Sequence, residues 1–157
     1  WKRGTFNKGW GSWKGLLMGG ILMVGFDVRK ISSEDYDDVI RLSEDLDYSS
    51  IKSIIEDENS KIIVAQLNDE IIGYINFTIL NNRSYISNLA INEIMVEEKY
   101  RGLGVGHQLM IEAKKYAEDY NAASIVATYN NYKEEEVYFY NKEGFRLNGE
   151  RRYEKIS

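Results

Sequence analysis

Residues 101–107, Arg-Gly-Leu-Gly-Val-Gly-His, set three glycines at alternate positions between an arginine and an apolar run of helical spacing. A strand, a glycine-rich turn and a helix start, in that order, aim free backbone N–H groups and the positive end of a helix dipole at an anion. Gly102, Gly104 and Gly106 remove Cβ atoms that would hold a diphosphate away from the backbone, and Arg101 can add a bidentate guanidinium contact. The same glycines also suit a turn that needs positive φ and binds nothing, and composition alone leaves the two readings level. Two better-known phosphate loops are excluded. A Walker A loop needs G-x-x-x-x-G-K-[ST], whereas His107 and Gln108 follow Gly106; a dinucleotide fingerprint needs G-x-G-x-x-G, and the spacing here is G-x-G-x-G. His107, the single histidine, stands at the helix start, where a capping or phosphate-side role suits it better than acid–base work. With one His and no Cys, thiolate zinc sites, multi-histidine metal sites, cysteine nucleophiles and disulfides are all ruled out, and no metal is expected.

The elements that must position this loop are legible on both sides of it. Residues 85–96 read as a long strand with a bend or bulge, and 107–120 as an amphipathic helix carrying Leu109, Ala113, Tyr116, Ala117 and Tyr120. Upstream, 26–31 reads as a strand, and Ser32 with Asp35 has capping-box spacing for a helix whose stripe is Tyr36, Val39, Ile40 and Leu46. Ser49 is placed to cap a second helix. The runs 61–67 and 70–80 should pair as a hairpin through Asn68-Asp69. Downstream come a strand at 124–129, a helix at 132–143 ended by Gly144, and two short strands around Asn148-Gly149. The order β-α-α-β-β-β-α-β-α-β-β is mixed α/β, with no repeat and no proline to mark boundaries.

A chain of 157 residues with 43% apolar residues suits one folded domain with one sizeable core. The net charge of −5 argues against a nucleic-acid module and for a cationic small partner. Lys2, Arg3, Lys8 and Lys14 fall in residues 1–26 with no acid among them. Gly19, Gly20 and Gly25 interrupt the apolar run there, which is too short to span a bilayer. The stretch 1–25 is therefore expected to lie outside the domain as upstream or leader-like residues, with Met18 or Met23 as a natural start, or as a membrane-surface or partner-binding peptide. The domain itself, 26–157, is expected to be cytoplasmic with no membrane contact. Its high Ile, Asn, Lys and Tyr content fits an AT-rich bacterial genome.

The segment "VEEKYRGLGVGHQL" resembles the acyl-CoA signature of the GNAT superfamily of N-acetyltransferases, R/Q-x-x-G-x-G/A, met here by Arg101, Gly104 and Gly106. A second landmark of that family, Tyr-x-x-x-Gly-Phe about forty residues downstream, is matched by Tyr140 to Phe145. The resemblance covers all but the first 25 or so residues. It implies a central mixed, mostly antiparallel sheet of about six or seven strands flanked by about four helices. It implies that the loop, Arg101, Gly102, Leu103, Gly104, Val105, Gly106 and His107, holds the diphosphate of acetyl-CoA. It further implies that strands 85–96 and 124–129 splay apart to admit the pantetheine arm, with Met95 and Val96 offering main-chain groups.

The implied reaction sets two proton problems. An alkyl amine of pKa about 10.4 is only about one part in a thousand neutral near pH 7.4, and the leaving thiolate has a reference pKa of about 8.5. Tyr140 matches the family position for the acid that stabilises or protonates the thiolate; the alternative for one tyrosine among twelve is core packing. Glu93 is the candidate base, sharing a strand face with Met95 while Ile94 and Val96 share the other; the alternatives are a solvated or salt-bridged strand residue and a water relay. The family's Asn and Ala, seven and four residues before its tyrosine, are replaced by Lys133 and Glu136, and Asn130 and Asn131 lie out of register, so that coenzyme contact is not carried over. Acids at Asp37, Asp38, Glu44, Asp45, Asp47, Glu56, Asp57 and Glu58 would attract a cationic acceptor such as a polyamine, an aminoglycoside or a lysine-like amine, or are solvated helix faces. The expected activity is acetyl transfer from acetyl-CoA to a primary amine, by direct attack in a ternary complex, with a non-catalytic acyl-CoA-binding or sensing domain as the alternative. Terminal edge strands leave room for a homodimer.

Overall fold

The computed structural model describes residues 13–19, 22–81, 86–128, 133–148 and 152–156. Among them, eight strands form one sheet: β1 (Trp13–Gly19), β2 (Leu22–Lys30), β3 (Ser60–Leu67), β4 (Glu70–Asn81), β5 (Ser87–Val96), β6 (Ser124–Thr128), β7 (Arg146–Asn148) and β8 (Arg152–Ile156). The spatial order is β1-β2-β3-β4-β5-β6-β8-β7. Only β5 and β6 run parallel; the other neighbours are antiparallel. The described residues also form four α-helices: α1 (Tyr36–Leu42), α2 (Tyr48–Glu56), α3 (Val105–Asp119) and α4 (Glu134–Lys142). This is the mixed, mostly antiparallel α/β architecture expected from the sequence, with one more strand. The extra strand is β1. Gly19, one of the glycines that interrupt the apolar run, pairs with Leu22 at the close of the β1–β2 ladder.

The sheet separates two cores. Val39, Ile51, Ile62, Val64, Ile71 and Tyr74 pack between it and the α1–α2 pair. Ile63, Ala65, Ile75, Phe77, Leu89 and Ile91 face the other way, onto Leu109, Met110 and Ala113 of α3 and Tyr140 of α4. Covered on both faces, β3 and β4 read as near-continuous apolar runs rather than as alternating ones.

Local chemistry sets the helix starts. The Asp35 carboxylate accepts from the Ser32 backbone N–H at 2.8 Å, and a 3₁₀ turn, Ser33–Asp35, leads into α1. Arg29 reaches the same carboxylate at 2.6 and 2.9 Å. Burial opposes ionisation of Asp35, but the bonds from Arg29 and Ser32 prevail and hold it below the usual carboxylate range. The cap of α2 is Asp47, which accepts from the Ser50 N–H at 2.7 Å, and not Ser49. Asn68, at φ 54, turns the β3–β4 hairpin, and Gly144, at φ 90, ends α4. The turn expected at Asn148-Gly149 falls partly outside the described residues, because 149–151 are not described.

Candidate active site

β5 delivers the chain to the glycine loop through a 3₁₀ turn, Glu98–Tyr100. Gly102 and Gly104 have φ of 77° and 90°, in the left-handed region. A Cβ on either would meet nothing within 4 Å, so backbone conformation and open space, not crowding, select glycine there. Gly104 is the N-cap of α3, and the Gln108 N–H to Gly104 carbonyl bond, 3.1 Å, closes its first turn. The N–H groups of Val105, Gly106 and His107 precede that bond and have no helical acceptor. Gly106 is needed for another reason: its Cβ would lie 2.9 Å from Cε2 of Phe139 on α4. Leu103 and Val105 anchor the loop from beneath by packing into the α3-side core.

Arg101 turns back onto the strand it follows. Its Nε donates to the Val96 carbonyl at 2.9 Å, and its guanidinium lies 3.7 Å from the Met95 sulfur and 3.4 Å from Glu135 of α4. Arg101, Met95 and Val96 are thus gathered at one point, with the Val96 carbonyl already engaged.

The β5–β6 ladder runs from Asn88↔Ser124 to Ile91↔Ala127 and stops, while β5 continues to Val96. β5 thus runs on past the described end of β6 at Thr128, leaving a main-chain edge over residues 92–96 without a strand partner among the described residues. On its other side β5 stays paired with β4, with a register shift: Ile91 faces Phe77, but Glu93 faces Asn76. Asn92 is the extra, bulged residue. Leu89 and Ile91 lie in the α3-side core and so do Ile94 and Val96. The bulge therefore turns Glu93 and Met95 onto the α1–α2 face.

There the Tyr74 hydroxyl donates to Glu93 Oε1 from the neighbouring strand. Ser43, just after α1, places its hydroxyl 3.1 and 3.2 Å from the two carboxylate oxygens. Burial, and after it the bond to Glu93, push the Tyr74 phenol up, so that it remains a donor. Asn92 Nδ2 continues the polar row, 2.9 Å from Thr78 Oγ1 and 3.5 Å from Asn76 Oδ1.

Tyr140 lies on the opposite side of the sheet. It is buried, and its ring meets Phe139 and Phe145 edge-on, with centroids 5.4 and 5.3 Å away. The Phe145 N–H to Tyr140 carbonyl bond, 2.9 Å, closes the turn at Gly144. His107 does not face Tyr140 or Glu93: its Nδ1 is 2.7 Å from Glu143, whose other oxygen is 3.2 Å from Lys114. Its side chain ties α3 to α4, which leaves its backbone N–H as its contribution to the loop. Lys133 pairs with Glu44 at 3.6 Å. Burial pushes Glu136 up, with Lys133 opposing and Glu44 adding. Asn130 and Asn131 lie outside the described residues.

Several acids thought to draw a cation have structural work. Asp47 caps α2, Asp57 binds Ser60 and Asn59, and Asp38 accepts from the Ile71 N–H. Glu44 and Asp45 follow Ser43 in the chain, and Glu44 is paired with Lys133. Sequence reasoning missed Ser43, Tyr74 and Glu143, whereas Phe139 was expected in the core and packs there. Tyr74 had one visible signal, a polar tip in a largely apolar strand run. Among the described residues, no group of three or more His, Asp or Glu side chains is placed to hold a metal, and no helix is long and apolar enough to cross a membrane.

Solved structures with this fold include a GNAT-family acetyltransferase from Staphylococcus aureus Mu50, 18% identical with a TM-score of 0.72, covering 83% of this chain and 98% of that one. Naa50 of Arabidopsis thaliana, in complex with the bisubstrate analogue CoA-Ac-MVNAL, is 19% identical with a TM-score of 0.66, covering 84% and 99%. The PaiA N-acetyltransferase of Thermoplasma acidophilum, in complex with coenzyme A, is 17% identical with a TM-score of 0.66, covering 84% and 99%. No curated protein sequence gives a significant match. A model of the acetyltransferase (GNAT) family matches residues 26–145, which take in β5, β6, the glycine loop, Glu93 and Tyr140. The chain belongs to the GNAT acetyltransferase family.

Proposed function

We propose that this protein transfers an acetyl group from acetyl-CoA to a primary amine of a small molecule, by direct attack within a ternary complex. The observation that carries the reading is the glycine loop that follows the end of β5. Left-handed Gly102 and Gly104, with open space beside them, and the acceptor-free N–H groups of Val105, Gly106 and His107 form a cradle suited to a diphosphate. The unpaired edge of β5 then suits the pantetheine amides. When bound, acetyl-CoA supplies an activated thioester and a thiolate leaving group.

The chain's own groups divide the remaining work between two sides of β5. On the α1–α2 side, Glu93 accepts the proton of the attacking amine, directly or through one water. On the α4 side, Tyr140 hydrogen-bonds or protonates the departing sulfur. A phenol of reference pKa about 10 against a thiol of about 8.5 makes full transfer uphill by roughly 2 kcal/mol, so hydrogen bonding carries much of the effect. A main-chain N–H at the strand end, near Met95 and Val96, polarises the thioester carbonyl. Glu44 and Asp45 near Ser43 favour a positively charged acceptor. Naa50 was captured with a coenzyme–peptide conjugate, which keeps a peptide amine as the second acceptor class.

The test is coenzyme A thiol release with acetyl-CoA and a panel of spermidine, kanamycin, lysine amide and a short peptide. Release that depends on the amine supports catalysis. Coenzyme binding without release would favour a sensing domain.

A further inference from the structure

Glu93 is held between two neutral hydroxyls, and one of them belongs to the connection between α1 and α2. Tyr74 donates from the adjacent strand, and Ser43 bridges both carboxylate oxygens. The Ser43 oxygen in turn accepts from the backbone N–H groups of Asp45 and Leu46, at 3.1 and 2.9 Å. A continuous run of donors thus links the α1–α2 connection, through Ser43, to the carboxylate.

We infer that Tyr74 and Ser43 are positioning residues for the reaction. They fix the Glu93 carboxylate toward the cleft and latch residues 43–46 to it, so that this connection and the proton-accepting group form one unit. The inference rests on the acetyltransferase reading above, and it adds residues that the family pattern in the sequence does not single out.

Three features carry it. Among the described residues, no Lys, Arg or His lies within ion-pair distance of Glu93. A guanidinium there would compete with an incoming ammonium, whereas hydroxyls orient the carboxylate without adding charge. Tyr74 has no exposed surface, so its hydroxyl needs a built acceptor. A backbone carbonyl would satisfy a merely structural tyrosine; here the bulge at Asn92 turns a carboxylate onto its face instead. The neighbours of the pair are accounted for: Met95 and Asn76 on the sheet are neutral, and Asp45 on the connecting loop is the charged group that acts on Tyr74 besides Glu93. An ammonium acceptor therefore meets two carboxylates, of which Glu93 is held rigid.

The experiment is a mutant cycle on the full chain, with Tyr74→Phe, Ser43→Ala and Ser43→Thr each made in the wild-type and the Glu93→Gln backgrounds. Steady-state kinetics use spermidine, kanamycin and lysine amide, and thermal unfolding is read alongside. Tyr74→Phe and Ser43→Ala should each lower kcat by about tenfold or more and leave the acetyl-CoA KM within about twofold. Neither should cost activity further in the Glu93→Gln background, and Ser43→Thr, which keeps the hydroxyl, should restore function. Equal losses in both backgrounds, or a lower Tm with kcat unchanged, would overturn the inference. Wild-type kcat in Glu93→Gln would also overturn it while leaving acetyl transfer standing. Absence of amine-dependent release by the wild type would instead remove the acetyltransferase reading itself. If Tyr74→Phe does not fold, the Ser43→Ala and Ser43→Thr pair decides the matter.

Discussion

A Cβ on Gly106 would lie 2.9 Å from Cε2 of Phe139, so the third glycine of the loop is there to let α3 pack on α4. Gly104 has open space but φ of 90°, so its constraint is conformational. The two alanine variants should fail differently. Gly104→Ala should cost about 1–2 kcal/mol in stability, the cost of a left-handed non-glycine residue, and distort the diphosphate cradle. Gly106→Ala should cost about 1–3 kcal/mol through overpacking, and Phe139→Leu should recover part of it. Thermal unfolding of the single and double variants checks both statements.

Removing the Tyr140 hydroxyl should separate chemistry from binding. Tyr140→Phe keeps the ring that packs on Phe139 and Phe145. It should lower kcat by about tenfold to a thousandfold and leave acetyl-CoA affinity within about twofold. Steady-state kinetics with calorimetry of coenzyme binding measure the split, and a variant with wild-type kcat would assign Tyr140 to the core alone.

The His107 side chain points to Glu143, so its loss should register in stability rather than in coenzyme binding. His107→Ala retains the backbone N–H at the start of α3. Coenzyme affinity should stay within about threefold, while stability falls by about 0.5–1.5 kcal/mol from the lost interhelical bond. A large loss of affinity with unchanged Tm would assign the imidazole to the ligand.

Arg29 and Asp35 give the fold an acid-sensitive joint at the start of α1. Because the Asp35 carboxyl is held below its unfolded value of about 3.9, its contribution is fully present above that pH and is lost as pH falls through the lower folded value. Wild-type stability should therefore fall more steeply below about pH 4 than that of Asp35→Asn. At neutral pH the variant should be less stable by about 1–3 kcal/mol, since Arg29 keeps partial solvent access. Urea unfolding from pH 3 to 7 checks the sign.

Local signals made most of the fold legible in the sequence. The hairpin at Asn68, the capping spacing of Ser32 and Asp35, and the stripe of α3 each depend on residues within a few positions of one another. What escaped depends on distant contacts. Ser43 and Glu93 are 50 residues apart and meet only because α1 ends over β5. The face that Glu93 occupies depends on the bulge at Asn92: strict alternation from Leu89 and Ile91 would have sent it into the α3-side core. Asp47 capped α2 in place of Ser49 because two good caps stood two residues apart and only the tertiary path chose between them. Residues 1–26 read as leader-like from their basic start and short apolar run, whereas Gly19 and Gly25 stand in the β1–β2 ladder, a pairing that depends on the chain folding back on itself.

Calorimetric titration with acetyl-CoA and, separately, with acetyl-pantetheine, which lacks the diphosphate, tests the central claim most directly. The cradle at residues 101–107 predicts saturable binding of acetyl-CoA at micromolar concentration. It predicts a loss of about a hundredfold or more without the diphosphate, the equivalent of two charge-assisted hydrogen bonds. Equal affinity for the two ligands, or no heat with acetyl-CoA at about 1 mM, would contradict the account.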